Sequence, residues 1–332
     1  LPTFCRHGRF LERCPICSKT LPGNSPAERA AGTGPRRRSG ATGATKRGGA
    51  RGSGLRIVRQ QRASEDGYSC ELVPGVRASA DAERLADEIA FSSGRLLVLT
   101  AAPAGPALPD LYAEVRELLV SDLEQASWIC FLTAYLCPLQ GPEPFAGIRV
   151  ALEQDRDSLS ELADVPLGPR SSHDPARGPE TLDAYRSWFA AAGSQAAAFR
   201  GDPSWTPQRR FERLFERLAL PGFSRAARYE LLVLLGALGV YELQAGSLHF
   251  SGGRKAAGPD QATIAAKRVF GIGDPLLLDR RAGALAQAAA VPVAALELAL
   301  ANWGTGERAT LGFPSESTDA AALARARAAL GV

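Results

Sequence analysis

The sequence contains no methionine, which reads as a trimmed start or an alternative start codon at position 1. It has no uninterrupted apolar run of bilayer-spanning length, which excludes a membrane-spanning helix. Its N-terminus lacks the pattern of a secretory signal. The expectation is a cytoplasmic protein, with no membrane partner. In that reducing setting the six cysteines are thiols or metal ligands before they are disulfides. Acid is scarce at one end only. Residues 1–60 hold 13 Lys/Arg against 2 Asp/Glu, and residues 61–332 hold 26 against 33. A basic arm on a mildly acidic body suits contact with a polyanion. No long internal repeat is visible.

What is present supports one large or two medium globular domains: 332 residues, 45% of them apolar. The expected fold class is mainly α, with a small β-containing element and an N-terminal zinc knuckle. The expected divisions are a zinc knuckle at 1–20, a flexible basic linker at 21–54, a small α/β element at 55–105 and a helical domain at 106–332.

Cys5, His7, Cys14 and Cys17 occur in the string CRHGRFLERCPICSK. The Cys14-x-x-Cys17 spacing lets two thiolates face one ion, and Cys5-x-His7 supplies two more ligands. Four ligands leave no open position for water, so the zinc would be structural. The competing reading is an incidental or redox CxxC in a tail. Residues 21–54 have almost no large apolar side chain to offset the entropy of ordering them.

From Leu55 the text LRIVRQ reads as a strand, YSCELVPG as another, Ala80–Phe91 as a helix and RLLVLT at 95–100 as a strand. Cys70 reads as a small buried hydrophobe. A helix is expected over Pro109–Leu119, and a central buried one over Ser121–Leu136. Glu124, Gln125 and Tyr135 are its notable polar groups. They either line a base pocket or belong to ordinary capping and core chemistry. A short helix is expected near 158–163. His173, in the loop at 169–180, is a candidate contact or an idle surface histidine. A helix over Glu180–Phe199 and a short β excursion over Val240–Phe250 complete the reading around the hairpin described next.

The stretch TPQRRFERLFERLALPGFSRAARYELLVLLG, residues 206–236, predicts two helices across a tight glycine turn. Pro207 suits a first helical position and Ser224 an N-cap. Backbone amides of that turn, at Gly222, Phe223 and Ser224, beside a helix N-terminus, can grip a phosphate. Arg225 and Arg228 sit in the second helix's first turn, where the helix dipole disfavours cations. They imply an anionic partner or plain solubility.

A second glycine turn, FGIGDPLLLDRR at 270–281, puts Asp274 at an N-cap and Pro275 at N1, predicting a helix to about Ala289. An acid there can stabilise charge developing on a sugar as a base departs, or orient a nucleophile. Asp274 is the first candidate, with Asp279 the alternate beside Arg280 and Arg281. The bland reading makes Asp274 a cap only. Lys267 would serve a Schiff-base lyase step, the less ordinary role for an exposed helical lysine.

These segments, with DLEQASWICFLTAYLCPLQGPEPF at 122–145, resemble the helix-hairpin-helix DNA glycosylases. They are more similar still to the alpha-glutamyl/putrescinyl thymine pyrophosphorylase-like proteins. The resemblance covers roughly residues 110–300. Two departures stand out: Ser224 replaces the second glycine of that superfamily's LPGxG loop, and the interval to Asp274 is longer than usual. The resemblance implies an enzyme that cleaves the N-glycosidic bond of a modified or damaged base in double-stranded DNA, in repair or anti-phage defence. Pro221–Ser224, Arg225, Arg228 and Arg280 would hold the DNA. The alternative is a noncatalytic DNA-binding or adaptor protein built on the same hairpin.

Overall fold

The computed structural model describes residues 65–102, 106–154, 162, 165–255 and 260–332. All of them fall in the unit spanning residues 59–332. They form twelve α-helices and, among the described residues, no strand. The β-containing element is therefore corrected. Tyr68–Gly75 is irregular chain and turn. Val240–Phe250 is a loop entering a short 3-10 helix at Phe250–Lys255. The LRIVRQ segment and the four candidate zinc ligands lie outside the described residues. Among the described residues no group of three or more His, Cys, Asp and Glu side chains is placed to hold a metal.

The run Arg95–Thr100, expected as a strand, is the end of helix α1, Ser79–Thr100. The Ser92-Ser93-Gly94 sequence looks like a break. Instead, Gly94 lets α1 press against the chain at 317–319, where an added Cβ would lie 2.6 Å from the Ser317 carbonyl oxygen. The Asp319 amide donates to the Ala90 carbonyl and the Ser93 hydroxyl to the Asp319 carboxylate. Asp319 also caps α12, Ala320–Leu330. One seam thus fixes both helices.

Helices α2 (Asp110–Glu117) and α4 (Ala146–Glu153) flank α3 (Leu123–Leu136). Every residue of α3 from Ala126 onward is buried, so it has no solvent face. The single helix expected over 180–199 is two: α5 (Gly178–Ala190) and α6 (Gln195–Arg200). Gly193 breaks them at φ 91°, and Ser194 caps the second. The hairpin follows as α7 (Pro207–Arg217) and α8 (Arg225–Ala237). Its partner α8 packs on α3, α7 and α1, and its residues 227–235 are all buried. Helices α9 (Gln261–Phe270), α10 (Pro275–Ala288) and α11 (Ala295–Thr305) complete the chain, with α11 wedged between α1 and α9. The helix expected near 158–163 lies almost wholly outside the described residues. Among the described residues no helix is long and apolar enough to cross a membrane.

Candidate functional site

The hairpin turn is braced from outside. Gly222 has φ 70°, and an added Cβ would lie 2.0 Å from the Thr181 hydroxyl oxygen on α5. The Ser172 hydroxyl donates to the Gly222 carbonyl at 2.8 Å and accepts from the Ser224 amide at 2.8 Å. Ser224 caps α8 by accepting from the Ala227 amide. The Ser224 amide, one of the expected phosphate donors, is therefore already occupied. Pro221 is exposed at the tip, and Phe223 is buried against Phe131.

Arg225 and Arg228 do not face an outside anion, and that expectation is corrected. They are 1% and 2% exposed. Arg225 pairs with Asp260, with Glu297 at 2.8 Å, and donates to the Leu248 carbonyl. Glu297 also takes two hydrogen bonds from Arg170, at 2.6 and 2.8 Å. Burial works to raise the Asp260 carboxyl, but the Arg225 guanidinium outweighs it and holds the carboxyl below its ordinary value. Arg228 donates to the carbonyls of Phe215 and Gly252 and lies over the Phe215 ring. Burial, helped by Arg225, lowers it to about 10. The anions beside Arg225 are internal, Asp260 and Glu297, while Arg228 is held by carbonyl oxygens.

A second buried pair, Arg95 of α1 with Glu230 of α8, stands beside this network. Glu230 and Arg170 share a cleft with Thr133, Cys137, Ala226 and Leu311. Its free volume is about 10 Å³, room for one water. Cys137 and Leu311 have φ 61° and 53°, two of the four non-glycine residues with positive φ among the described residues. Such backbone strain gathers where surrounding structure enforces it, often at functional sites. Burial pushes the Cys137 thiol up to about 11, the behaviour of a core thiol.

The other expected residues are dispersed. Tyr135 is buried and meets His173 Nδ1 through its hydroxyl at 2.9 Å. Burial lowers the His173 ring's pKa, with the Leu162 backbone opposing. Glu124 accepts from the amides of Gln195 and Ala196, anchoring the start of α6. Gln125 lies in the first turn of α3, its amide donating to Asp122. Tyr135 lies eleven positions after Glu124 on α3, about 16 Å of rise. They do not line one pocket.

Asp274 is exposed and caps α10 through the amides of Leu276 and Leu277. Asp279 is half-buried and accepts from the amides of Leu248 and Phe250. Its carboxyl is raised, by burial. Lys267 and Arg280 are exposed. Asp279 and the hairpin arginines thus all hold the 248–252 loop through its backbone. That loop holds His249 at φ 53°, stacked 4.6 Å from Phe215. Burial and the charges of Arg225 and Arg228 lower the His249 pKa to about 4. Arg170, Glu230, Glu297 and His249 carried no motif in the sequence and come together only through tertiary contacts.

The family model for alpha-glutamyl/putrescinyl thymine pyrophosphorylase clade 3 matches residues 171–310, in agreement with the resemblance of the hairpin and second-turn segments. The matched stretch runs from the loop that braces the hairpin through α11. This is a distant relation to the helix-hairpin-helix superfamily. No curated protein and no solved structure matches the chain.

Proposed function

We propose that the protein is an enzyme acting on a modified or damaged base in DNA, breaking the N-glycosidic bond as a DNA glycosylase does. The carrying observation is the family match across the hairpin, on a helical body whose α8 opens at Ala226 and Glu230 onto a strained cleft. The family's name specifies thymine, so modified thymines are the first substrates to test. In this reading the Glu230 carboxylate, fixed by Arg95, stabilises positive charge developing on the sugar. Arg170 holds the departing base. A flipped base enters only when the walls at Arg170 and Leu311 part. Asp274 remains a helix cap, and Lys267 forms no Schiff base. The basic arm adds DNA affinity, with one structural zinc on Cys5, His7, Cys14 and Cys17; zinc content well below one per chain in protein purified without chelator would refute the metal.

The small volume of the cleft favours a second reading, a noncatalytic DNA-binding protein. The deciding assay presents DNAs with normal, damaged and modified thymine bases and scores free base and abasic sites. Wild type should release base from one of them. Glu230→Gln should lose about 100-fold or more while keeping its circular dichroism spectrum, and Asp274→Asn should stay active. Loss with Asp274→Asn alone would move the chemistry to the surface acid. No release by wild type from any substrate would leave the binding reading.

A further inference from the structure

A separate groove of about 520 Å³ runs along the outer side of α7. One wall is α7 itself, with Arg209, Glu212 and Arg213; the other is the loop carrying Gly246, Ser247 and His249. Arg209 and Arg213 are one helical turn apart, so their guanidinium groups rise from the same face. Both are exposed. The Arg209 guanidinium makes no ion pair or hydrogen bond among the described residues. Arg213 meets Glu216 at 3.2 Å with both side chains well exposed, a pair that an incoming anion displaces cheaply. These cations contrast with Arg225 and Arg228, which spend their charge inside the protein.

The opposite wall is built rather than incidental. Asp279 pins the amides on both sides of His249. Phe215 stacks on the imidazole, and the Arg225 side chain holds the Leu248 carbonyl. These contacts sustain the left-handed backbone at a residue that does not favour it. The result is a fixed polar wall of hydroxyl and imidazole in the same groove as two exposed guanidinium groups. The groove has volume for a sugar-phosphate segment and not merely one anion.

We infer that this groove binds the phosphodiester backbone of a nucleic-acid strand, with Arg209 and Arg213 on the phosphates and Ser247 and His249 on the facing wall. The inference deepens the proposed function by adding a strand contact away from the hairpin tip, and it rests on that reading for the identity of the polyanion. Glu212 stands on the same rim and opposes the charge, which gives the test a direction in each sense.

The test is direct binding of a labelled 20-mer DNA oligonucleotide to the full chain over a sodium chloride series. Arg209→Ala with Arg213→Ala should weaken binding about tenfold at low salt and lower the slope of log affinity against log salt by about two. Glu212→Gln should tighten binding about threefold at low salt. All three positions are exposed, and circular dichroism verifies folding. Competition by inorganic phosphate or a deoxynucleoside monophosphate at millimolar concentration, equal to that of unlabelled strand, would show a free-phosphate site and overturn the strand assignment. So would unchanged affinity and slope in the double variant, weaker binding by Glu212→Gln, or no oligonucleotide binding by wild type. Base release is scored separately. A chain that binds through the groove and releases nothing loses the glycosidic reading and keeps this one.

Discussion

A guanidinium in the first turn of a helix works against the field of that helix. Arg225 is held there because Asp260 and Glu297 lie against it. Removing it leaves the half-buried Asp260 without its guanidinium, while Glu297 keeps Arg170. Arg225→Met should therefore cost about 3 kcal/mol in denaturant unfolding, and adding Asp260→Asn should recover part of it. No recovery would mean that the arginine acts through packing. His249 gives a second prediction at this scale. Its pKa lies near 4 in the fold against an ordinary 6.5, because of burial and then Arg225 and Arg228, with Glu216 opposing. Between those values the unfolded chain binds a proton that the folded chain refuses. Stability is complete above about pH 6.5 and is lost as pH falls towards 4. His173, also lowered by burial, adds in the same sense. The melting temperature of wild type should drop more between pH 7.5 and 4.5 than that of His249→Phe, which keeps an aromatic ring on Phe211 and Phe215. Equal drops would remove His249 from the account. The sequence marked Arg225 and Arg228 as cations needing an anionic partner or serving solubility, and only Arg225 meets carboxylates. It could not show that the anions of Arg225 came from residues 35 and 72 positions later.

Among the elements, the hairpin was the most legible. Its apolar spacing, Pro207, the LPG turn and the Ser224 cap all found their expected places in α7 and α8. Asp274 and Pro275 likewise start α10. The end of α1 misled, because a short apolar run such as Leu96–Leu99 has no readable period. Its glycine served close packing rather than termination. Gly222 is the element-scale test. Alanine there meets both a positive φ and the Thr181 hydroxyl. Gly222→Ala should cost about 2–3 kcal/mol. Thr181→Ala in the same chain should return the steric share and leave the backbone share. A cost under about 0.5 kcal/mol would show that the turn shifts freely.

For the whole molecule, the division of charge is the most readable property, since counting needs no fold. The acidic remainder implies that the arm carries much of any nonspecific nucleic-acid affinity. A chain beginning at residue 55 should bind DNA more weakly than the full chain at low salt, and the difference should shrink as salt rises. Equal low-salt affinity would remove the arm from DNA binding. The candidate site was less legible because it is not local. Arg95, Arg170, Arg225, Glu230, Asp260 and Glu297 come from α1, the segment ahead of α5, α8, the cap of α9 and α11. That distribution has a consequence for motion. If one of these segments lifts away alone, it strands a charge in a low-dielectric interior. Partial openings should therefore cost nearly as much as complete unfolding. The slowest amides of α1, α8 and α11 should exchange with solvent hydrogen at a common free energy, as one cooperative unit.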